Sequence, residues 1–195
     1  MVSSPLRIGL VIALASCGEP RDARPAIAID AAAVNALVPA QLRDQLVFER
    51  RDLVIQRGPR KATYTVAAPR RWIQHGEMSA HLRPDDLPGV VAHFEIGSNC
   101  DGPCTPKPWE AVAAKVHFAP RAGRKIVQDV KAPGRRTMIF ETQRSGAPTT
   151  EVIVAWWAEG ARNYHTCKAS LGAALKPAAP AFAAACQAVA VDGDD

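Results

Sequence analysis

Residues 150–159 read TEVIVAWWAE. At a strand's period of two, Val152, Val154 and Trp156 share one face and Ile153, Ala155 and Trp157 the other. A strand that is apolar on both faces must be covered on both, which places it inside a sheet with packed layers on either side. RTMIFETQ (136–143) before it and ARNYHTCKASL (161–171) after it carry the β-branched and aromatic residues expected of its neighbours.

Working outward, KIVQDVK (125–131), VVAHFEIG (90–97), ATYTVAA (62–68) and VFERRDLVI (47–55) also read as strands. Pro69 should end the strand before Trp72, and Gly97, Ser98 and Asn99 read as the turn that ends VVAHFEIG. Asp30 is placed to cap a helix that runs to Val38, where Pro39 should force a restart. PWEAVAAKVHF (108–118) reads as a short helix with Pro108 in its first turn and Trp109, Val112, Ala113 and Val116 on one face. PAAPAFAAACQAVAV (177–191) reads as a terminal helix, followed by a frayed acidic tail, VDGDD. Consecutive strands with short turns, one helix in the middle and one at each end, predict an α+β fold with a mainly antiparallel sheet flanked by helices. Trp72, Trp109, Trp156 and Trp157 are expected mostly in the core, with Trp72 and Trp109 partly exposed beside loops.

The cysteines carry the next layer of information. In the penultimate strand His165, Cys167, Ala169 and Leu171 share the apolar face, and in the terminal helix Phe182, Cys186 and Val189 share another. Both thiols then point into one seam, which predicts a Cys167–Cys186 disulfide. Cys100 and Cys104 enclose Asp-Gly-Pro, a turn that can bring them within bridging range. Zinc is the alternative at that second pair, with His93 and His117 as the further ligands it would need. An exported chain favours the disulfide, and no metal or other cofactor is expected.

Export is read from the first residues. RIGLVIALASCGEP (7–20) places Arg7 before a run from Ile8 to Ala15 that is far shorter than the roughly 20 residues needed to span a bilayer. Ala13-Leu14-Ala15 fits ordinary signal peptidase and a soluble product, whereas Leu14-Ala15-Ser16-Cys17 resembles the lipobox of bacterial lipoproteins. The chain has five cysteines, and lipidation of Cys17 removes the odd one, leaving four to pair. The resemblance implies a signal peptide over 1–16, a palmitate-bearing lipid on Cys17, a flexible tether over 17–29 and a single domain over 30–195. The tether, GEPRDARPAIAI, spans roughly 40 Å when extended. Gly18 stands where an Asp would retain a lipoprotein of enterobacterial type in the inner membrane. The implied address is therefore the cell envelope, at the outer membrane facing the periplasm.

A formal charge of +5, or +4 without Arg7, is modest. The doublets Arg50-Arg51, Arg70-Arg71 and Arg135-Arg136 lie near acids or strand ends, as solvated faces do, with attraction to an anionic membrane as the functional alternative. Nucleic acid is not an expected partner, since the basic residues are not interleaved with aromatics. The chain contains no G-x-S-x-G, H-E-x-x-H, P-loop or S-x-x-K motif. His75, His81, His93, His117 and His165 are scattered singly, and Asp85-Asp86 lies in a turn sequence.

The strand TYTVAAP running into RRW, the later VAWW and the closing YHTCKASL with FAAACQAVAV resemble the PsbP/Mog-type α+β superfamily over roughly Thr63–Val191. That resemblance implies a mainly non-enzymatic module that binds or assists larger complexes, and it transfers no binding residue. The domain also resembles lipoproteins of large-genome predatory soil bacteria, a likeness that adds no function. Three functions follow as expectations. The favoured one is a lipid-anchored binding or accessory module with an envelope protein partner and no catalytic activity. A carrier or chaperone of apolar ligands would need an enclosed apolar pocket. A metal-dependent hydrolase would need two of His93, His117 and His165 to converge with a carboxylate within about 5 Å.

Overall fold

The computed structural model describes residues 29–57, 60–76, 80–84, 92–99, 123–157 and 163–193. The first of these form helix α1 (Ala31–Ala36), where the Asp30 carboxylate accepts from the backbone N–H groups of Ala32 and Ala33. The helix stops short of Pro39, and a single 3-10 turn, Ala40–Leu42, follows it. Val34, Val38, Leu42 and Leu46 point inward from this ramp. Asn35 fastens it to the next strand, donating to the Phe48 carbonyl at 2.8 Å and accepting from the Phe48 amide at 2.7 Å.

Strands β1 (Phe48–Arg57) and β2 (Arg60–Pro69) form an antiparallel hairpin in register from Phe48↔Pro69 to Arg57↔Arg60. Pro69 ends the ladder, since it has no N–H to give. The corner behind it is held by Arg51, whose guanidinium donates to the carbonyls of Pro69 at 3.2 Å and Trp72 at 2.7 Å. Trp72 is only 2% exposed, against its expectation as a partly exposed residue. The corner turns the indole onto the Phe182 ring, 5.5 Å between centroids.

Two short strands, β3 (Ile73–His75) and β4 (Ala80–Arg83), were not expected from the sequence. Only Ala80 and Leu82 alternate inward in β4, too few apolar positions to show a period. Strand β5 (Ala92–Asn99) does not turn at Gly97. Gly97, Ser98 and Asn99 continue the strand because Thr166, His165 and Tyr164 lie opposite and complete their pairing. Strands β6 (Lys125–Ala132), β7 (Arg135–Arg144), β8 (Ala147–Trp156) and β9 (Tyr164–Gly172) follow. Ser145 and Gly146, with φ of 52° and 81°, make the two-residue β7–β8 turn.

After a 3-10 segment (Ala173–Ala178), helix α2 covers Ala179–Gln187. The expected helix through Val191 is corrected here, as is the start of the acidic tail, whose Asp194 and Asp195 lie outside the described residues. Ala190–Gly193 forms β10, which pairs antiparallel with β2 from Ala190↔Thr65 to Gly193↔Ala62. The free edge of β2 captures those residues, and backbone pairing there outweighs helical continuation. Among the described residues one sheet runs β1-β2-β10 and a second runs β3-β4-β5-β9-β8-β7-β6, all antiparallel. The outcome is the expected α+β class, divided between two sheets. Edge strand β6 is exposed along its length and bulged between Ile126 and Gln128, with Lys125 and Lys131 on it, features that discourage edge pairing.

Helix α2 lies where the two sheets meet. Its Phe182 ring contacts Phe48 of β1 at 5.1 Å and Phe94 of β5 at 5.8 Å. Ala178, Ala181 and Ala185 are fully buried, their small side chains letting the helix lie close to both sheets. The interior strand read from TEVIVAWWAE is β8, with neighbours on both sides. Val152, Val154 and Trp156 join the main core beneath α2, while Ile153 and Ala155 form a second cluster with Met138 and Phe140 on the opposite face. Cys167 and Cys186 are joined across the seam between β9 and α2, their Cα atoms 5.3 Å apart.

Candidate functional site

Strand alternation divides the seven-stranded sheet into an inner face, which packs against α2, and an outer face. Two rows of cross-strand partners build the outer face. One runs His81–Glu95–Lys168–Ile153–Met138 across β4, β5, β9, β8 and β7, and the other runs His93–Ser170–Glu151–Phe140. The first row is ionic over β4, β5 and β9 and apolar from β8, and the second is polar or ionic over β5, β9 and β8 and turns apolar only at β7. Opposite charges at directly facing positions, such as Glu95 and Lys168, stabilise the pairing that places them.

Over the polar half lies an open groove of about 390 Å³, to which Arg83, Arg124 and Arg144 also contribute. Glu95 is one of its lining residues. His81 Nε2 lies 3.6 Å from one carboxylate oxygen and His93 Nε2 3.8 Å from the other, so the imidazoles straddle the carboxylate. The two rings are stacked at 16°, with centroids 6.2 Å apart. The His93 hydrogen bond, assisted by the charges of Lys168, His81 and His93, lowers the Glu95 pKa to about 2 against the opposing effect of burial. Glu95 is therefore an anion at any ordinary pH and cannot serve as a proton donor near neutrality.

At the apolar border Arg124 sits 4.2 Å above the centre of the Phe140 ring and 3.9 Å from the Glu151 carboxylate. With that pair set against each other, the charged lining besides the imidazoles is Arg83, Arg144 and Lys168 against Glu95, a net +2. The site is electropositive, which disfavours a divalent cation and favours an anion.

The residues singled out in the sequence fall in different places. His93 is in the groove, but His165 is on the inner face, where its Nδ1 lies 3.2 Å from the Tyr64 hydroxyl and its ring stacks on Trp156 at 5.3 Å. The odd register that points Cys167 inward points His165 inward as well, so the convergence required of a metallohydrolase does not occur between these two. Cys17, Cys100, Cys104, Asp85, Asp86, Trp109 and His117 lie outside the described residues. Among the described residues no group of three or more His, Cys, Asp or Glu side chains is placed to hold a metal ion. His81, Glu95 and Lys168 were not anticipated as a site. His93 and Glu95 share a face in AHFEIGSN, a signal the strand period does carry, but His81 required β4 to be known.

Each basic doublet has at least one member engaged in structure. Arg51 holds the Pro69 corner, Arg70 pairs with Glu49 at 3.0 Å, and Arg135 donates to the Gln187 carbonyl at 2.8 Å. Arg136 grips Asp129 through two hydrogen bonds of 2.9 and 2.8 Å, and that guanidinium lowers the Asp129 pKa.

No family model matches the chain, so the PsbP/Mog-type resemblance gains no support there, and no curated protein matches it. Among solved structures the chain is similar to LpqN, described as involved in cell envelope biogenesis of Mycobacterium tuberculosis. The identity is 12%, the match covers 77% of this chain and 94% of that chain, and the TM-score is 0.47. A likeness at that distance carries no function across to this chain.

Proposed function

We propose that the protein is a non-enzymatic binding or accessory module of the cell envelope, tethered at the outer membrane by a lipid on Cys17 and binding through the outer face of its larger sheet. The observation that supports this reading is the groove around Glu95, an open polar surface built from β4, β5, β8 and β9 on the sheet face opposite α2. Charged side chains line it, which favours recognition of a polar partner over carriage of an apolar one. The straddling of Glu95 by His81 and His93 favours a fixed charge arrangement over a metal-bound nucleophile. The Leu14-Ala15-Ser16-Cys17 lipobox supports the anchor.

Fractionation with palmitate labelling tests the anchor. The native chain should take up label and leave the membrane fraction only with detergent, whereas Cys17→Ser should take up no label and remain unprocessed. Label in the variant, or none in the native chain, would refute the lipid anchor.

A further inference from the structure

We infer that the groove around Glu95 is a recognition site for a phosphate monoester carried on a larger polar moiety. This rests on the groove being the protein's binding face, and it adds the chemical class of the ligand. The first argument is charge. With Arg124 and Glu151 set against each other, Arg83, Arg144 and Lys168 face a single acid, Glu95, leaving a net +2. A phosphate monoester carries close to two negative charges at neutral pH and balances that field, whereas a single carboxylate leaves half of it unmatched.

Donor chemistry is the second argument. Guanidinium forks, an ammonium and a hydroxyl are the groups that complement the three terminal oxygens of a phosphate. Among the described residues, the side chains of Arg83, Arg144 and Ser170 have no hydrogen-bond or ion-pair partner, so their donors face the groove. Ser170 lies between His93 and Glu151 in its cross-strand row and is 8% exposed, which puts its hydroxyl on the groove floor. Glu95, straddled by His81 and His93 and facing Lys168 across the strands, cancels one of the three positive charges, and the other two remain for a ligand.

Size is the third argument. At about 390 Å³ the groove is several times larger than a phosphate, so the ester's organic part also has room. Two sources share this chemistry, a soluble phosphorylated metabolite and a phosphomonoester lipid headgroup.

The test uses the full chain, purified from membranes in uncharged detergent, titrated with glycerol 3-phosphate by calorimetry and by ¹⁵N NMR. Saturable binding with a Kd below roughly 1 mM is expected, with shifts at His93, Lys168 and Ser170. Lys168→Gln and Arg83→Gln should each weaken binding by roughly tenfold. Arg50→Gln, which removes the same charge from an exposed site on β1, should leave it unchanged. Sedimentation with phosphatidylcholine vesicles containing phosphatidic acid supplies the second arm. Preferential binding there identifies the lipid source, and preferential binding of glycerol 3-phosphate identifies the soluble one. Non-saturable binding, or equal weakening by Arg50→Gln, would overturn the inference. So would equal affinity for succinate, but shifts confined to the groove would then still uphold a binding face and reject only phosphate as its ligand.

Discussion

The Tyr64 hydroxyl and His165 Nδ1 lie 3.2 Å apart, and this contact joins β2 of the three-stranded sheet to β9 at the middle of the seven-stranded one. Tyr64 is fully buried, so its hydroxyl depends on a protein partner. Tyr64→Phe should cost about 1 kcal/mol while preserving the ring's packing, read from the midpoint of urea unfolding. An unchanged midpoint would mean that the sheets are held together by α2 and the core alone.

The disulfide between Cys167 and Cys186 closes a loop of 19 residues in sequence separation. Replacing both cysteines by Ser should cost about 3 kcal/mol in the chain-entropy account. Peptide mapping without reduction should recover Cys167 and Cys186 in one linked product. A different partner for either one would contradict the seam between β9 and α2.

Glu95 gives a pH signature with a definite sign. Its pKa is lowered from 4.5 to about 2 in the folded protein, so its contribution is fully present above pH 4.5 and is lost as the pH falls through about 2. The side chain is 29% exposed, and solvent reduces the gain to about 2 kcal/mol. Glu95→Gln should be less stable by that amount at pH 7, and the gap should narrow steadily below pH 4.5. A constant gap across this range would show that the imidazoles do not stabilise the carboxylate.

Phe182 touches Phe48, Trp72 and Phe94 at ring distances of 5.1, 5.5 and 5.8 Å. Phe182→Ala should cost roughly 3–5 kcal/mol, because rings from both sheets then border one cavity. Thermal unfolding followed by near-ultraviolet circular dichroism checks it, since loss of this cluster removes the aromatic signal along with the stability. A loss below about 1 kcal/mol would mean that the two sheets close on each other without the helix.

The amino-acid sequence by itself determined the features that depend on neighbours a few residues away. Asp30 as a cap, the breaks at Pro39 and Pro69, the doubly apolar β8 and the inward phase of Cys167 and Cys186 all follow from local periodicity and backbone chemistry. Tertiary structure decided whatever required a partner distant in the chain. Gly97, Ser98 and Asn99 carry turn residues but lie in a strand, because Thr166, His165 and Tyr164 stand opposite them. Val191 continues a helical pattern but is drawn into β10 by the open edge of β2. The groove is the clearest case, since Glu95 meets His81 on β4 and Lys168 on β9 only through strand order and register. A period of two decides which face a side chain occupies, but its neighbour on that face is set by hydrogen-bond register summed over the whole sheet.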